Sequence, residues 1–396
     1  MKILVVCQFY YPENFVISKI AEKLAEYGHD VTVLTGKPNY GYGYILPEYK
    51  NVKSEIVNGV KVERVNLKPR KHSRLSIISN YLSFWKNSKK WVKKCKEKYD
   101  VVYSMSLSPV TILSAGNLYK KKFGVPHVIH CVDLWPESVL VTNAVRKNSL
   151  TYKILYSWSR RLYSKGDEIL IGSPSYEQYF RDVLKIENTN IKYVPQPSLV
   201  ETSDLEPFPF DKKYFNILYC GNLGIIQEIP YIVEAMKQLR GSKIRFNVIG
   251  MGPYSEYLEN KIKEYGLENN LIYFGPMPAL QSSAYFKGAD ALYVPLRDKG
   301  YVGKTIPNKL VMSMAFGKPI LAMLEGDGKS ILVEADGAVF SSQSAESLLD
   351  GIKTISSLNK KDLDRLGKNN LSYYQNHLTL NTIASQIEEE LLNKIR

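Results

Sequence analysis

Apolar positions along the chain follow two alternating periods, and the alternation runs through the sequence twice. KILVVCQ (2–8) is the short apolar run of a strand buried on both faces, NFVISKIAEKLAEYGHD (14–30) repeats apolar residues at helical spacing and closes on Gly28, and VTVLTG (31–36) is a second strand. VKVERVNL (60–67) alternates as a half-buried strand does. A basic, aromatic helix over about 74–98 follows, then DVVYSM (100–105), a helix over 109–123, VPHVIHC (125–131), a helix over 151–165, a strand over 168–172, a helix over 174–184 and a strand over 191–194. The loop KPNYGYGYILPEYK (37–50) is too long for a plain connection, and its glycines and tyrosines suit a segment that lines or covers a cleft.

The period disappears between Pro195 and Lys213, where PQPSLVETSDLEPFPFDKK carries four prolines, and it restarts at FNILYCG (215–221). IRFNVIG (244–250), LIYFG (271–275), ADALYVPL (289–296) and PILAML (319–324) are further strands, with helices between them. Strand and helix in strict succession imply parallel sheets covered on both faces. The expected architecture is α/β, with two doubly wound Rossmann-like domains facing across a cleft: 1–196, a linker 197–213, a second domain 214–375, and a last helix over 376–396 that could cross back to the first.

Composition narrows this picture. The chain has 396 residues, 44% of them hydrophobic and 23% charged, enough for two sizeable cores. No run approaches the roughly 20 apolar residues that span a bilayer, and the N-terminus reads as a first strand, not a leader. Cys7, Cys95, Cys131 and Cys220 are scattered, without metal-ligand spacing, so a reduced, cytoplasmic protein without disulfides is expected. The net charge of +14 is concentrated: thirteen Lys or Arg against Glu63 and Glu97 lie between Lys61 and Lys98. Ile78, Tyr81, Leu82, Trp85 and Val92 fall near one face of the helix there, with lysines elsewhere. One reading is an amphipathic surface for an anionic bilayer; the other is a helix packed on its sheet with solvated lysines. No nucleic-acid recognition module accompanies the charge.

In YVGKTIPNKLVMSMAFGKPIL (301–321), Pro307, Gly317 and Pro319 bound a short helix from about Pro307 to Phe316. Its first turn holds Lys309 and no acid, with Lys304, Lys299 and Arg297 upstream, although a helix start favours negative charge. Either an anion resolves the conflict or the lysine bends into solvent. Three successive strand ends carry glycine turns, Gly221-Asn222-Leu223-Gly224 with Gln227, Gly250-Met251-Gly252-Pro253, and Gly275-Pro276-Met277-Pro278, all on the sheet edge that Lys309 enters.

YCGNLGIIQEI, VIGMGP, YFGPMP and TIPNKLVMSMAFGKPIL resemble the donor-binding segments of the retaining glycosyltransferases of family 4, which have the GT-B fold. FYYPENF, GHDVTVLTGKPNY and DLWPESV (133–139) resemble the branch containing fucosamine transferases of O-antigen and capsule assembly. The resemblance implies a retaining transferase that moves a sugar from a nucleotide diphosphate, UDP being the expected one, to a lipid-linked or glycan acceptor, without a metal or other cofactor. Carried over, Gly221, Asn222 and Gly224 cradle the diphosphate through backbone N–H groups with Gln227 beside them, Lys309 neutralises it with Thr305 and Asn308 alongside, and Gly252 and Met277 bracket the base. Asp133 is the catalytic candidate with Lys309, orienting the acceptor hydroxyl or stabilising a positively charged sugar, or capping the segment at Pro136. Glu13, Asn14 and Glu137 are candidates for acceptor or sugar contact, and His127 and His130 for core positions.

The chain departs from the family at Met312 and Lys304, where a glutamate is usual, at Asn222 in place of an arginine and at Val132 in place of a histidine. Asn222 and Val132 fit the fucosamine-like branch, and the lost histidine favours a 6-deoxy or N-acetylated donor. Met312 fits neither, and it sustains an alternative: a non-catalytic relative that binds a sugar nucleotide or lipid-glycan. A meeting with a lipid-linked acceptor places the protein at the inner face of the cell membrane, attached through helix 74–98.

Overall fold

The computed structural model describes residues 1–71, 73–141, 145–187, 189–199 and 206–396. It comprises two compact units, Met1–Gln196 with Leu380–Arg396, and Pro197–Thr379.

The first unit is built on an eight-stranded sheet of β1 (Lys2–Val6), β2 (Asp30–Gly36), β3 (Ser54–Val57), β4 (Val60–Val65), β5 (Val101–Ser106), β6 (His127–Cys131), β7 (Glu168–Ile171) and β8 (Asn190–Tyr193), in the order β3-β4-β2-β1-β5-β6-β7-β8. Every pairing is parallel except β3 with β4. The periodicity missed β3, whose alternation is weak. Its signal was the Asn58-Gly59 dipeptide, which takes φ of 48° and 81° at the hairpin turn. The segment read as one helix over 174–184 is a helix at Ser175–Gln178 followed by a wider π-turn at Tyr179–Val183.

The second unit has six parallel strands, β9 (Phe215–Cys220), β10 (Ile244–Ile249), β11 (Leu271–Tyr273), β12 (Ala291–Pro295), β13 (Ile320–Met323) and β14 (Ala338–Phe340), in the order β11-β10-β9-β12-β13-β14. In each sheet the order reverses beside the first strand, between β1 and β5 and between β9 and β12. Loops diverge there, and open parallel sheets take their ligands at the carboxyl ends of such strands.

The chain outside the sheets explains the unit boundaries. Ile383, Ile387 and Leu391 of the helix Leu380–Ile395 are buried with Ile3, Val5 and Ile20 in the first unit's core. His29 and Lys192 meet Glu388 and Glu390 on the same helix. The expected linker is shorter than 197–213. Residues 200–205 lie outside the described residues, and by Phe208 the chain is already part of the second unit: its N–H donates to Ala284 O at 2.9 Å and its ring stacks on Tyr285 at 3.9 Å. Prolines at 207 and 209 prevent a helix, but they leave the two phenylalanines free to bury.

Candidate functional site

In the second unit, the three glycine turns interlock at the carboxyl edge of the sheet. Gly221 N–H donates to Ile249 O, Leu223 N–H to Met251 O and Gly250 N–H to Gly275 O, each at 2.9 Å. The turns touch backbone to backbone: a Cβ on Gly250, at φ 137°, would lie 1.8 Å from Gly221 O, and one on Gly252 would lie 2.5 Å from Leu223 O. Gly250→Ala should therefore lower stability by roughly 3 kcal/mol or more, since the clash is with main chain and the dihedral disfavours any side chain; urea unfolding measures it.

This stitching corrects one expectation. The N–H groups of Gly221 and Gly224 do not face an anion: the first bonds to β10, and the second donates to Gln227 Oε1 at 3.1 Å. Gln227 is buried and shapes the turn. Within Gly221–Gly224 the N–H left without a partner among the described residues is that of Asn222. Glycine serves here for close approach of backbone to backbone, and Gly221 also for close approach of Lys309, whose Cε would lie 3.1 Å from a Cβ there.

The helix Asn308–Ala315 starts as its sequence requires, with Pro307 before it, no acid in its first turn and no side-chain cap. Lys309 turns back from that first turn to the end of β9. Its Nζ donates to Tyr219 OH at 2.9 Å and sits 4.8 Å from the Tyr219 ring centroid, while Tyr219 OH donates to Asn222 O. One line of hydrogen bonds thus fixes lysine, tyrosine and turn together. Burial lowers the Lys309 ammonium's pKa to about 8, with the neighbouring Cys220 thiol acting the other way. No carboxylate is among the groups that set its acidity. A half-buried cation at a helix start, with no carboxylate paired to it among the described residues, is an arrangement that an anion would neutralise.

The other cations are placed differently. Arg297 pairs with Glu228 at 2.9 Å and donates its N–H to Ile226 O, clamping the loop after β12 to the loop after β9. Lys304 and Asn308 are exposed, and Thr305 Oγ1 donates to Val302 O at 2.9 Å, bracing the entry to the helix. Gly252 N–H donates to Ser255 Oγ at 3.0 Å. Met277 and Met312 pack on one apolar cluster with Leu218, Phe286 and Phe316. The residue in the family's glutamate position therefore extends an apolar wall instead of offering a carboxylate.

In the first unit, Asp133 follows β6 beside the switch point. Its N–H donates to Ser106 O, and its Oδ2 accepts from Ser108 Oγ at 3.4 Å; Trp135 Nε1 in turn donates to Ser108 Oγ at 2.9 Å. Burial raises the carboxyl's pKa above the usual value, and hydrogen bonds from the Ser108 side chain and backbone oppose the rise. These partners lie on the loop after β5, so the carboxylate is not occupied in capping the helix at Glu137. Glu13 is buried and accepts from Asn39 N–H at 2.6 Å and from Tyr40 N–H, tying down the start of loop 37–50. Glu137 accepts from Tyr152 OH at 2.9 Å, and Asn14 is exposed. His127 bonds to Asn117 and Ser104, and His130 to Tyr103 and Val194 O, both wholly buried as core residues.

Sequence reasoning missed Arg70. Its guanidinium lies 5.0 Å from the Tyr40 ring centroid and 5.5 Å from that of Tyr81, and its Nη1 donates to Tyr81 OH at 3.0 Å. Tyr40 packs in turn on Phe9 and Phe15. Asp133 is among the charges that Tyr81 feels. The signal was the arginine of KPRK among so many lysines, because a planar guanidinium stacks where an ammonium does not.

Two open, mostly parallel sheets, each with its loops gathered at a switch point, define the class of doubly wound two-domain α/β proteins. The comparisons specify the family. A model of glycosyl transferase 4-like domains matches residues 14–197, and a model of group 1 glycosyl transferases matches residues 201–372. The chain belongs to the group 1, GT4-like glycosyltransferases with the GT-B fold. It is 28% identical over 245 residues to the probable glycosyltransferase WbjE of Pseudomonas aeruginosa, covering 57% of this chain and 58% of that protein, so the match spans somewhat over half of the relative's length. It is 24% identical to the putative colanic acid biosynthesis glycosyl transferase WcaI of Escherichia coli, over 80% of this chain and 82% of that one. Among solved structures, Anabaena Alr3699/HepE in complex with UDP superposes with a TM-score of 0.70 at 15% identity, over 99% and 100% of the two chains. Sucrose-phosphate synthase from Thermosynechococcus elongatus does so at 0.74 and 17%, over 99% and 98%.

Proposed function

We propose that the protein is a retaining glycosyltransferase of surface polysaccharide assembly, of the fucosamine-transferase-like branch, which transfers a 6-deoxy or N-acetylated sugar from a UDP-linked donor to a lipid-linked glycan. The observation that carries the reading is Lys309, a half-buried ammonium without a carboxylate partner at a helix start. In the transfer the bond from the anomeric carbon to the diphosphate oxygen breaks, a bond to the acceptor hydroxyl oxygen forms on the same face of the sugar, and the acceptor's proton passes to the departing diphosphate oxygen. Negative charge grows on the leaving phosphate, where Lys309, Thr305 and the helix dipole stabilise it more than in the ground state. The ammonium takes the neutralising part, so no metal is assigned to the reaction. Positive charge grows on the sugar, and Asp133 supplies the opposite sign. The names of WbjE and WcaI support the polysaccharide setting, and the UDP held by HepE supports the nucleotide.

The acceptor is assigned to the first unit, where Arg70 with Tyr40 and Tyr81 offers a cation and two rings near Asp133. Attachment to the inner face of the membrane is assigned to the helix Arg74–Lys94, whose packing differs from the expected single apolar face. Asn80, Phe84, Ser88 and Val92 are buried, whereas Leu75, Ile78 and Leu82 face outward. Asn80 is held inside by Gln8, Asn39 and Lys68 O, which rotates the helix and leaves its apolar side chains exposed.

Thermal unfolding with UDP, GDP and ADP tests the reading. At a hundredfold excess over Kd, UDP should stabilise the protein by about 2.7 kcal/mol, GDP and ADP should do less, and Lys309→Ala should remove the effect. A preference for GDP or ADP would replace the donor. No shift with any nucleotide would transfer the fold to the non-catalytic, lipid-glycan-binding role that Met312 favours.

A further inference from the structure

Where the exposed apolar face of the helix Arg74–Lys94 continues to Trp85 and Lys89 lies an open cavity of about 310 Å³, bounded by that helix and the helices Leu113–Phe123 and Leu150–Tyr163 of the first unit. Its lining includes Trp85, Lys89, Lys121, Trp158, Arg161 and Lys165, and no carboxylate. Trp85 and Trp158 stack at 6.5 Å with a 26° tilt, and Lys89 Nζ lies 4.7 Å from the Trp85 ring centroid. Lys120, one position before Lys121, is neutralised by Asp167. Lys121, Arg161 and Lys165 have no ion pair among the described residues. Lys121, Arg161 and Lys165 are exposed, so solvent screens their repulsion, and together with Lys89 they make the concavity attractive to an anion.

The apolar stripes that lead to the cavity state what kind of anion, since Ile78 shares a helix face with Trp85 and Ile154 shares one with Trp158. Leu75 and Ile78 on one helix and Leu150 and Ile154 on another are exposed, Leu75 by 81% and Leu150 by 76%, and Trp158 is 40% exposed at the cavity itself. Basic side chains with indoles and flanking exposed leucines match the headgroup boundary of a bilayer, where indole rings settle and leucines enter the acyl region. A soluble phosphate accounts for the cations and leaves the leucines unexplained. We infer that this cavity is a headgroup site for the phosphate of an anionic phospholipid, and that the helix Leu150–Tyr163 docks on the membrane together with the helix Arg74–Lys94. The inference rests on the membrane attachment proposed above, and adds a discrete site to what is otherwise a diffuse charge.

Co-sedimentation of the full chain with vesicles of phosphatidylcholine, alone and with phosphatidylglycerol, separates the two claims. Two triple variants remove equal charge: Lys121→Gln/Arg161→Gln/Lys165→Gln at the cavity, and Lys93→Gln/Lys94→Gln/Lys96→Gln on the exposed end of the basic segment. The site predicts at least a tenfold greater loss of binding to phosphatidylglycerol vesicles from the first set, with both variants melting as the parent does. It also predicts tryptophan quenching by brominated phosphatidylglycerol, diminished by Trp158→Phe. Equal losses from the two sets overturn the site and leave the attachment standing. Absence of parental binding to anionic vesicles overturns both. Saturable binding of glycerol phosphate without vesicle binding, or of an RNA oligomer with the same cavity dependence, replaces the lipid as ligand.

Discussion

Lys309→Ala lowers kcat/KM for sugar transfer by 10²- to 10³-fold while raising the melting temperature of the unliganded protein. The two effects share one cause. Removing a group that faces growing negative charge in a dry site typically has a kinetic effect of that size. The same ammonium is half-buried without a carboxylate, and burial holds its pKa near 8, below its unfolded value of 10.5. Between those values the unfolded chain binds more protons than the folded one, so this lysine's contribution makes stability rise with pH from about 8 to 10.5, and below 8 its full penalty is present. Alanine removes the penalty and flattens that part of the stability curve. Donor binding has the opposite sign: it needs the cation, so affinity for the nucleotide should fall as pH rises through about 8 in the parent protein, and not in the variant. Binding isotherms from pH 6.5 to 9.5, alongside thermal melts across the same range, measure both slopes. A variant that is less stable than the parent at pH 7 and keeps its turnover would remove Lys309 from the site.

Much of this was legible in the chain because the relevant signals are local. Pro307, Gly317 and Pro319 punctuate their helix without help from elsewhere, and the misplaced Lys309 stood out against the sign preferred at a helix start. The roles of Gly221 and Gly224 were not legible, since a glycine turn that presents N–H groups to a ligand and one that interlocks with its neighbours have the same sequence. The choice depends on Ile249, Met251 and Gly275, residues from other strands. The hydrogen bonds of Glu13 and Glu137 were not legible for a similar reason: their partners, Asn39 and Tyr152, are distant enough in sequence that no spacing links them. Arg70 was hidden by abundance, one of three arginines in a segment crowded with lysines. The orientation of the helix Arg74–Lys94 depended on Asn80, whose buried hydrogen bonds outweigh the apolar periodicity around it.

Asp133→Asn should leave the fold intact and reduce kcat by about 10²- to 10³-fold, the range associated with losing a group aimed at charge that grows in the transition state. The amide has the carboxylate's shape, and Ser108 can still donate to its oxygen, so the relay from Trp135 through Ser108 survives. What disappears is the negative charge opposite a sugar that becomes cationic as its bond to phosphate breaks. Burial raises this carboxyl's pKa in the folded protein, so between the unfolded and folded values the native state holds the extra proton, and the residue's contribution to stability falls as pH rises through that window. Asparagine carries no such cost, and the variant should melt no lower than the parent at neutral pH. The acid limb of the parent's kcat/KM profile should lie above the ordinary carboxylate range and be missing from the residual activity of the variant. Turnover retained at the parental rate, or an unchanged acid limb, would reduce Asp133 to a loop brace and move the search for the countercharge elsewhere in the first unit. Wild-type-like melting with turnover lost distinguishes a chemical role from a structural one, because a brace that fails is seen first in the melt.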